Sequence, residues 1–351
     1  MTIVLKIDPR QPDLEKIRQA AASLLEGNLV AFPTETVYGL GANALNRKAV
    51  ERVFYAKGRP FQDPLIVHIA SLQMLYDVAQ NVPNEALSLI DQFWPGPLTL
   101  ILPRHPSIPA EVSAGLNTVA VRMPSHPIAL ALIEHAGVPI AAPSANRFGH
   151  TSPTSAAHVL ADLDGKIDLL IDGGVPIVGV ESTVLDLTQQ SPVILRPGGV
   201  THEELMKVLD SVLLRGDESS RDQKDPMPSP GMLSRHYAPQ TTLILIESEN
   251  STNACKRLIS EATLLIESGK RVAILSADED ALIFEQLGVR IETIGSSQNL
   301  AQIANRLYSA IRLLDEEKMD FILVRSYGSK GLGLAILDRL RRAASKIINI
   351  E

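Results

Sequence analysis

Polar residues collect at a few points of this 351-residue chain, each where an apolar run stops. The segment Phe32–Leu40 (FPTETVYGL) follows a strand-like run with Thr34, Thr36 and Tyr38 hydroxyls, the Glu35 carboxylate and Gly39. A plain turn accounts for the proline and glycine, less readily for three hydroxyls and an acid at a sheet edge. In Ala56-Lys57-Gly58-Arg59-Pro60 two cations flank a flexible glycine at a helix end, followed by Asp63. Such cations either offset the helix dipole or clamp a polyphosphate, arginine by its fork and lysine as a point charge. Val67-His68-Ile69 puts an imidazole in an apolar strand, where a satisfied core histidine is the ordinary meaning. Arg122, in the apolar run of Ser113–Met123, needs an anion, because an unpaired buried guanidinium is costly. A carboxylate ligand meets that need as well as an internal acid does. The run Ile140–Asn146 (IAAPSAN), continued by His150–Thr154, combines small residues that let a ligand approach the backbone with the hydrogen-bonding side chains of Ser144 and Asn146. With Gly179–Thr183 and Leu195–Gly198, these segments read as an anion and nucleotide pocket without a phosphate loop.

The elements that must hold them follow from periodicity. Strands are expected at Leu29–Pro33, Leu65–Ile69, Leu98–Leu102, Val119–Met123 and Leu169–Asp172, and helices at Leu14–Leu25, Lys48–Ala56, Glu85–Phe93 and Pro127–Ala136. This is an α/β domain whose proline-rich connections argue against a strict βαβ repeat. Arg215–Pro239, rich in charged residues and proline, has little to bury and reads as a linker. Beyond it, strands at Thr242–Ile246, Val272–Leu275, Val289–Ile294, Phe321–Val324 and Ile347–Ile350 alternate with helices at Ala254–Glu267, Leu300–Leu314 and Leu334–Ala344. That grammar implies a smaller Rossmann-like β/α domain with a mostly parallel sheet. The expected division is 1–212, a linker or lid at 213–240, and 241–351.

Composition narrows the function. Hydrophobic residues make up 45% of the chain and charged ones 21%, enough for sizeable cores. The net charge is −7, and residues 1–209 hold 15 Lys and Arg against 20 Asp and Glu, so neither half is a basic nucleic-acid module. Arg339, Arg341, Arg342 and Lys346 form the densest cationic spot and read as a solvated face. The single cysteine, Cys255, rules out an internal disulfide and a thiolate metal cage, and no apolar run has the length of a membrane span or signal peptide. A cytoplasmic protein is expected. Neither G-x-x-x-x-G-K-[ST] nor G-x-G-x-x-G occurs; Tyr327–Leu334 (YGSKGLGL) reads as a strand-to-helix turn, and Thr201 as the N-cap of a helix with Glu203 and Glu204 in its first turn.

Taken together, Lys57-Gly58-Arg59 and Ser144-Ala145-Asn146 resemble the K-x-R…S-x-N signature of YrdC-like proteins. Phe32–Gly39, Trp94–Thr99, Val119–Pro124 and Val180–Thr183 match the same family, and Ser229–Met232 with Arg235–Pro239 is similar to the linker of its long, two-domain form, the threonylcarbamoyl-AMP synthases. The resemblance implies a twisted open α/β sheet with a concave cavity. It also implies a nucleotidyltransferase reaction in which L-threonine, bicarbonate (or CO2) and ATP, with Mg2+, give threonylcarbamoyl-AMP and pyrophosphate. A separate transferase complex would then modify adenosine beside the anticodon in tRNAs reading codons that begin with A.

Carried over by motif, Lys57, Arg59, Ser144 and Asn146 would hold the triphosphate. Asp63, Thr118, Ser152, Arg196 and Tyr237 would contact the nucleotide, and Thr36, His68, Arg122, the Ala142 backbone and Ser182 would surround threonine. No acidic cluster identifies protein ligands for Mg2+, with Asp63 the carboxylate to watch. Three other readings stand beside this one: a double-stranded-RNA-binding module without turnover, with at most weak RNA binding on an acidic chain; a hydrogenase-maturation type of carbamoyl transferase, which the lone cysteine disfavours; and a regulatory protein whose second domain senses a ligand.

Overall fold

The computed structural model describes residues 1–215, 227, 229 and 236–350, so most of the expected linker lies outside the described residues. In chain order the elements of the first two-thirds are β1 (Ile3–Lys6), α1 (Leu14–Leu25), β2 (Val30–Phe32), β3 (Gly39–Asn43), α2 (Arg47–Lys57), β4 (Ile66–His68), α3 (Leu72–Val78), α4 (Asn84–Phe93), β5 (Leu98–Pro103), β6 (Thr118–Arg122), α5 (Pro127–Ala136), β7 (Ile140–Ala141), α6 (Ala156–Leu163), β8 (Leu169–Asp172), β9 (Thr183–Asp186), β10 (Val193–Arg196), α7 (His202–Leu205) and β11 (Leu213–Leu214). The remainder is β12 (Thr242–Glu247), α8 (Ser251–Glu267), β13 (Val272–Ser276), α9 (Ala281–Glu285), β14 (Arg290–Thr293), α10 (Leu300–Glu316), β15 (Phe321–Arg325), α11 (Leu332–Ala343) and β16 (Lys346–Asn349).

Two compact units result: residues 1–148, 152–177 and the described part of 181–232 form the first, and 149–151, 178–180 and the described residues from 236 onward the second. The first is built on a mixed sheet in the order β1-β8-β2-β3-β7-β4-β6-β5-β9-β10-β11. Parallel pairs such as β4–β6 and β5–β9 alternate with antiparallel ones such as β2–β3, β4–β7 and β5–β6, as expected of a domain without a strict βαβ repeat. The helices form where the sequence marks their ends. Asp13 caps α1 by accepting from the Glu15 and Lys16 amides, and Ile17, Ala20, Ala21 and Leu24 bury one stripe of it. Asn46 caps α2, and Gly58 ends it in the left-handed region at φ 66°, which sets Lys57 on the last turn and redirects the chain toward Arg59. Thr201 and Glu204 close a capping box on α7.

The second unit is an all-parallel five-stranded sheet, β14-β13-β15-β12-β16, the Rossmann-like layout that its periodicity implied. A cavity of about 190 Å³ at the carboxyl ends of β12, β15 and β16 is lined by Glu247, Ser248, Ser326, Leu337 and Asn349, among others. One expectation fails here. Arg339 is not on a solvated face but is 1% exposed, paired with Asp338 at 2.5 Å and set over the Tyr237 ring at 5.2 Å. It falls on the apolar stripe of α11 with Ala335, Ile336, Leu340 and Ala343, and its planar cation is satisfied there by an acid and a ring. Among the described residues no helix is long and apolar enough to cross a membrane.

Close approach fixes one position in particular. A Cβ on Gly198 would lie 2.4 Å from the Glu181 carbonyl oxygen and the backbone of Ser182 and Thr183, which have no side-chain freedom with which to yield. Gly198→Ala is therefore expected to destabilise the first domain by about 1–3 kcal/mol, read as a lower urea midpoint; an unchanged midpoint would show that β9 and β10 separate without cost.

Candidate active site

Period-two alternation divides the central strands between two faces. Val67, Val119 and Val121 enter the main core with Leu98, Leu100 and Leu102, whereas Ile66, Ala120, Ile101 and Val184 form a small apolar cluster on the other face. His68, Thr118 and Arg122 share that second face by register, and β4 and β6 pair in parallel with His68 opposite Arg122. A polar group is thus carried on an apolar floor by strands whose reverse sides are locked in the core.

Arg122 organises this group. Its Nε donates to the Gly96 carbonyl at 3.2 Å, one terminal nitrogen donates to Thr36 Oγ1 at 3.0 Å, and the other lies 2.6 Å from Glu35 Oε1. Both side chains are nearly inaccessible, at 4% for Arg122 and 6% for Glu35. The anion that Arg122 requires is supplied within the chain, by Glu35. That contact is close but off the hydrogen-bonding line, and among the described residues neither Glu35 oxygen accepts a hydrogen bond. Thr36 Oγ1 also contacts Thr34 Oγ1 at 2.8 Å, and Thr34 donates to the Val37 carbonyl at 2.6 Å, so the Pro33–Tyr38 loop is tied down by its own hydroxyls. His68 is buried with Nδ1 3.3 Å from the Ile66 carbonyl. Burial first, and the Arg122 charge second, push its pKa down to about 3. A neutral imidazole so weakly basic is no acceptor for an ammonium proton at neutral pH. The Ala142 amide is committed to the Ile66 carbonyl at 2.9 Å.

A second set surrounds Lys57. Its buried ammonium donates to the Ser144 carbonyl at 2.5 Å, the Asn146 carbonyl at 2.6 Å and Asn146 Oδ1 at 3.1 Å, and Ser144 Oγ donates to the same Oδ1 at 2.6 Å. The structure thus unites three of the four residues of the K-x-R…S-x-N pattern. The fourth, Arg59, is buried against Asp63: Nε donates to its carbonyl at 3.0 Å, and a terminal nitrogen lies 2.9 Å from its carboxylate and donates to the Pro64 carbonyl at 2.7 Å. Ser182 joins Thr99 Oγ1 at 2.8 Å and accepts from Arg196 at its carbonyl (2.9 Å) and hydroxyl (3.2 Å). Arg196 is aimed there by a break in register between β9 and β10 at Ile194/Arg196. Ser152 donates to Glu181 at 2.5 Å. Thr118 is half-buried at the start of β6. Tyr237 belongs to the second unit, buried at φ 61° with its ring centroid 5.8 Å from that of Tyr308.

Sequence reasoning did not select Glu35, Thr99 or Glu181 as site residues. The signal for Glu35 was present: it is the one acid among the hydroxyls that follow β2. Thr99 is marked by its alternation with Leu98 and Leu100, while Glu181 lies in the Gly179–Thr183 segment without a feature that sets it apart from its neighbours there.

Fold and site together define a two-domain α/β protein: a YrdC-like sheet bearing buried cations over hydroxyl-rich loops, followed by a Rossmann-like domain. The family profile described as "Telomere recombination" matches residues 22–198, and that described as "Threonylcarbamoyl-AMP synthase, C-terminal domain" matches residues 200–345. The chain is 47% identical to a threonylcarbamoyl-AMP synthase of Pyrococcus abyssi over the full length of both proteins. It is 48% identical to one of Bacillus subtilis, covering 94% of this chain and 93% of that one. Among solved structures, P. abyssi Sua5 complexed with L-threonine superposes with a TM-score of 0.91 at 44% identity, over 100% of both chains. The chain belongs to the threonylcarbamoyl-AMP synthase family, in its two-domain form.

His68 supplies a pH test. Its folded-state pKa is about 3 against an ordinary 6.5, so between those values the unfolded chain binds a proton that the native site refuses. This contribution is fully present above about pH 6.5 and is lost as pH falls toward 3, by up to about 1.4 kcal/mol per pH unit. Denaturation midpoints at pH 7, 6 and 5 should show a shallower loss in His68→Gln than in the parent chain; equal slopes would contradict the buried neutral imidazole.

Proposed function

We propose that this chain condenses L-threonine, bicarbonate or CO2 and ATP into threonylcarbamoyl-AMP and pyrophosphate, in the cytoplasm, and that a separate transferase complex passes the group to tRNA adenosine. The observation that carries the reading is the Arg122 group, a guanidinium locked on an apolar floor beside Thr36 and His68. Arg122 receives the substrate carboxylate, with Thr36, the Ala142 backbone and Ser182 around the rest of threonine. The threonine nitrogen, deprotonated to the free amine, attacks the carbon of CO2, and the protons released pass to bicarbonate or solvent, giving a carbamate that must then be kept from bulk water. A carbamate oxygen then attacks the α-phosphorus, and the bond to the bridging oxygen of pyrophosphate breaks. Such chemistry asks a protein for position and charge rather than a nucleophile.

Lys57 and Arg59 are placed on the phosphates, with Ser144 and Asn146 beside them and Asp63, Thr118, Ser152 and Arg196 toward the nucleotide. Lys57 reaches this role by its grip on the Ser144–Asn146 backbone, which sets the small-residue loop at a fixed distance from the helix end. Among the described residues no cluster of three or more His, Cys, Asp and Glu is spaced to hold a metal ion. Mg2+ brought by a nucleotide takes one or two carboxylates beside phosphates and water. Asp63 is the nearest candidate by chain position; when bound, the ion neutralises phosphate charge.

A product assay by mass spectrometry, with ATP, Mg2+, bicarbonate and L-threonine each omitted in turn, should give a threonylcarbamoyl-AMP peak only when all three substrates are present. No such peak from folded, ATP-binding protein would reduce the reading to fold alone and favour RNA binding. Lys57→Ala and Arg59→Ala should each lower the rate by roughly 10²–10³-fold, and near-parental rates in both would sink the phosphate-clamp assignment.

A further inference from the structure

Glu35 neutralises Arg122, yet it has hydrogen-bond acceptor capacity beyond that pair. Its side chain is 6% exposed, it lies 2.6 Å from a terminal nitrogen of Arg122, and among the described residues neither of its oxygens receives a hydrogen bond. A buried carboxylate ordinarily accepts several. Holding Arg122 in place does not by itself explain the pattern, because the Gly96 carbonyl and Thr36 already fix two of the guanidinium's nitrogens. The site therefore presents a cation and an anion side by side, the anion with acceptor capacity to spare. A free α-amino acid presents the complementary pair, a carboxylate and an ammonium on one carbon.

We propose that Glu35 binds the α-ammonium of the amino-acid substrate while Arg122 binds its carboxylate, so that the pair selects a zwitterion over a simple carboxylate. The inference rests on the threonine reading above. A site with Arg122 alone would admit any small anionic hydroxy acid. With Glu35 beside it, a ligand that brings a carboxylate and no ammonium sets two anions on one guanidinium, in a setting where neither is well solvated. The amino acid instead gives each Glu35 oxygen a donor. Glu35 also keeps the nitrogen in the region where it must be carboxylated, while His68, held neutral, adds no repelling charge.

The test compares two probes by calorimetric titration: L-threonine and 2,3-dihydroxybutanoate, which replaces the amine by a hydroxyl. In Glu35→Gln the affinity for L-threonine should fall on the order of 10- to 100-fold, the range for a charged hydrogen bond. Affinity for the hydroxy acid should stay level or rise, because its carboxylate no longer competes for Arg122. Equal loss for both probes would mean that Glu35 merely shapes Arg122, and no loss for either would mean that it does not meet the substrate; both overturn the inference. Nucleotide affinity serves as the folding check, and where Glu35→Gln does not fold, Glu35→Asp, which keeps the charge but draws it back by one methylene, should weaken L-threonine binding while leaving the hydroxy acid level; equal loss for both, or loss for neither, again overturns the inference. Failure of the parent chain to bind L-threonine at all would instead overturn the reading on which this rests.

Discussion

The first domain is arranged around the need to keep one guanidinium charged inside an apolar sheet. Desolvating such an ion costs several kcal/mol, and removing the partner of a buried pair typically costs about 3–5 kcal/mol. Arg122 meets this with one carboxylate, one hydroxyl and one carbonyl, drawn from two parts of the chain: Glu35 and Thr36 from the loop after β2, and Gly96 from the loop before β5. That single requirement pins two loops to the end of β6. His68, its neighbour in register, stays uncharged chiefly because it is buried, and the Arg122 charge reinforces this. The apolar floor of Ile66, Ile101, Ala120 and Val184 keeps the dielectric low, which strengthens whatever the guanidinium holds.

The Lys57 cluster works on a different principle. Its ammonium donates to two backbone carbonyls and to the Asn146 side-chain oxygen, which fixes the helix end against the Ser144–Asn146 loop. Arg59 is instead closed on the carboxylate of Asp63, so it must share or exchange that partner to serve an anion. In the proposed reaction the two sets divide the work, one taking the amino acid and the other the nucleotide.

How much of this was legible in the sequence depended on whether local pattern or tertiary contact decided the outcome. The bounds of α1, α5 and β8 were read to the residue, because caps and apolar spacing speak locally. The strands β3 (GLGAN) and β7 (IA) were not, since glycine and alanine carry no strand preference and become strands only between their neighbours. Arg339 was misjudged by charge although its position on the α11 stripe announced its burial. For Arg122 the sequence established that an anion was needed but left open which one, a choice made across 87 positions of chain that no spacing rule connects. Of the Lys57 contacts, the one to the Asn146 side chain falls on a residue the pattern had paired with it, whereas the two to backbone carbonyls leave no trace in residue identity.

The account stands or falls on what occupies the Arg122 group. The most direct measurement is a crystal structure of this chain grown with L-threonine. It should place the ligand carboxylate within hydrogen-bond distance of the Arg122 guanidinium, with Thr36 and Ser182 alongside and the nitrogen toward Glu35. Threonine bound elsewhere, with the Arg122–Glu35 pair unchanged, would contradict it.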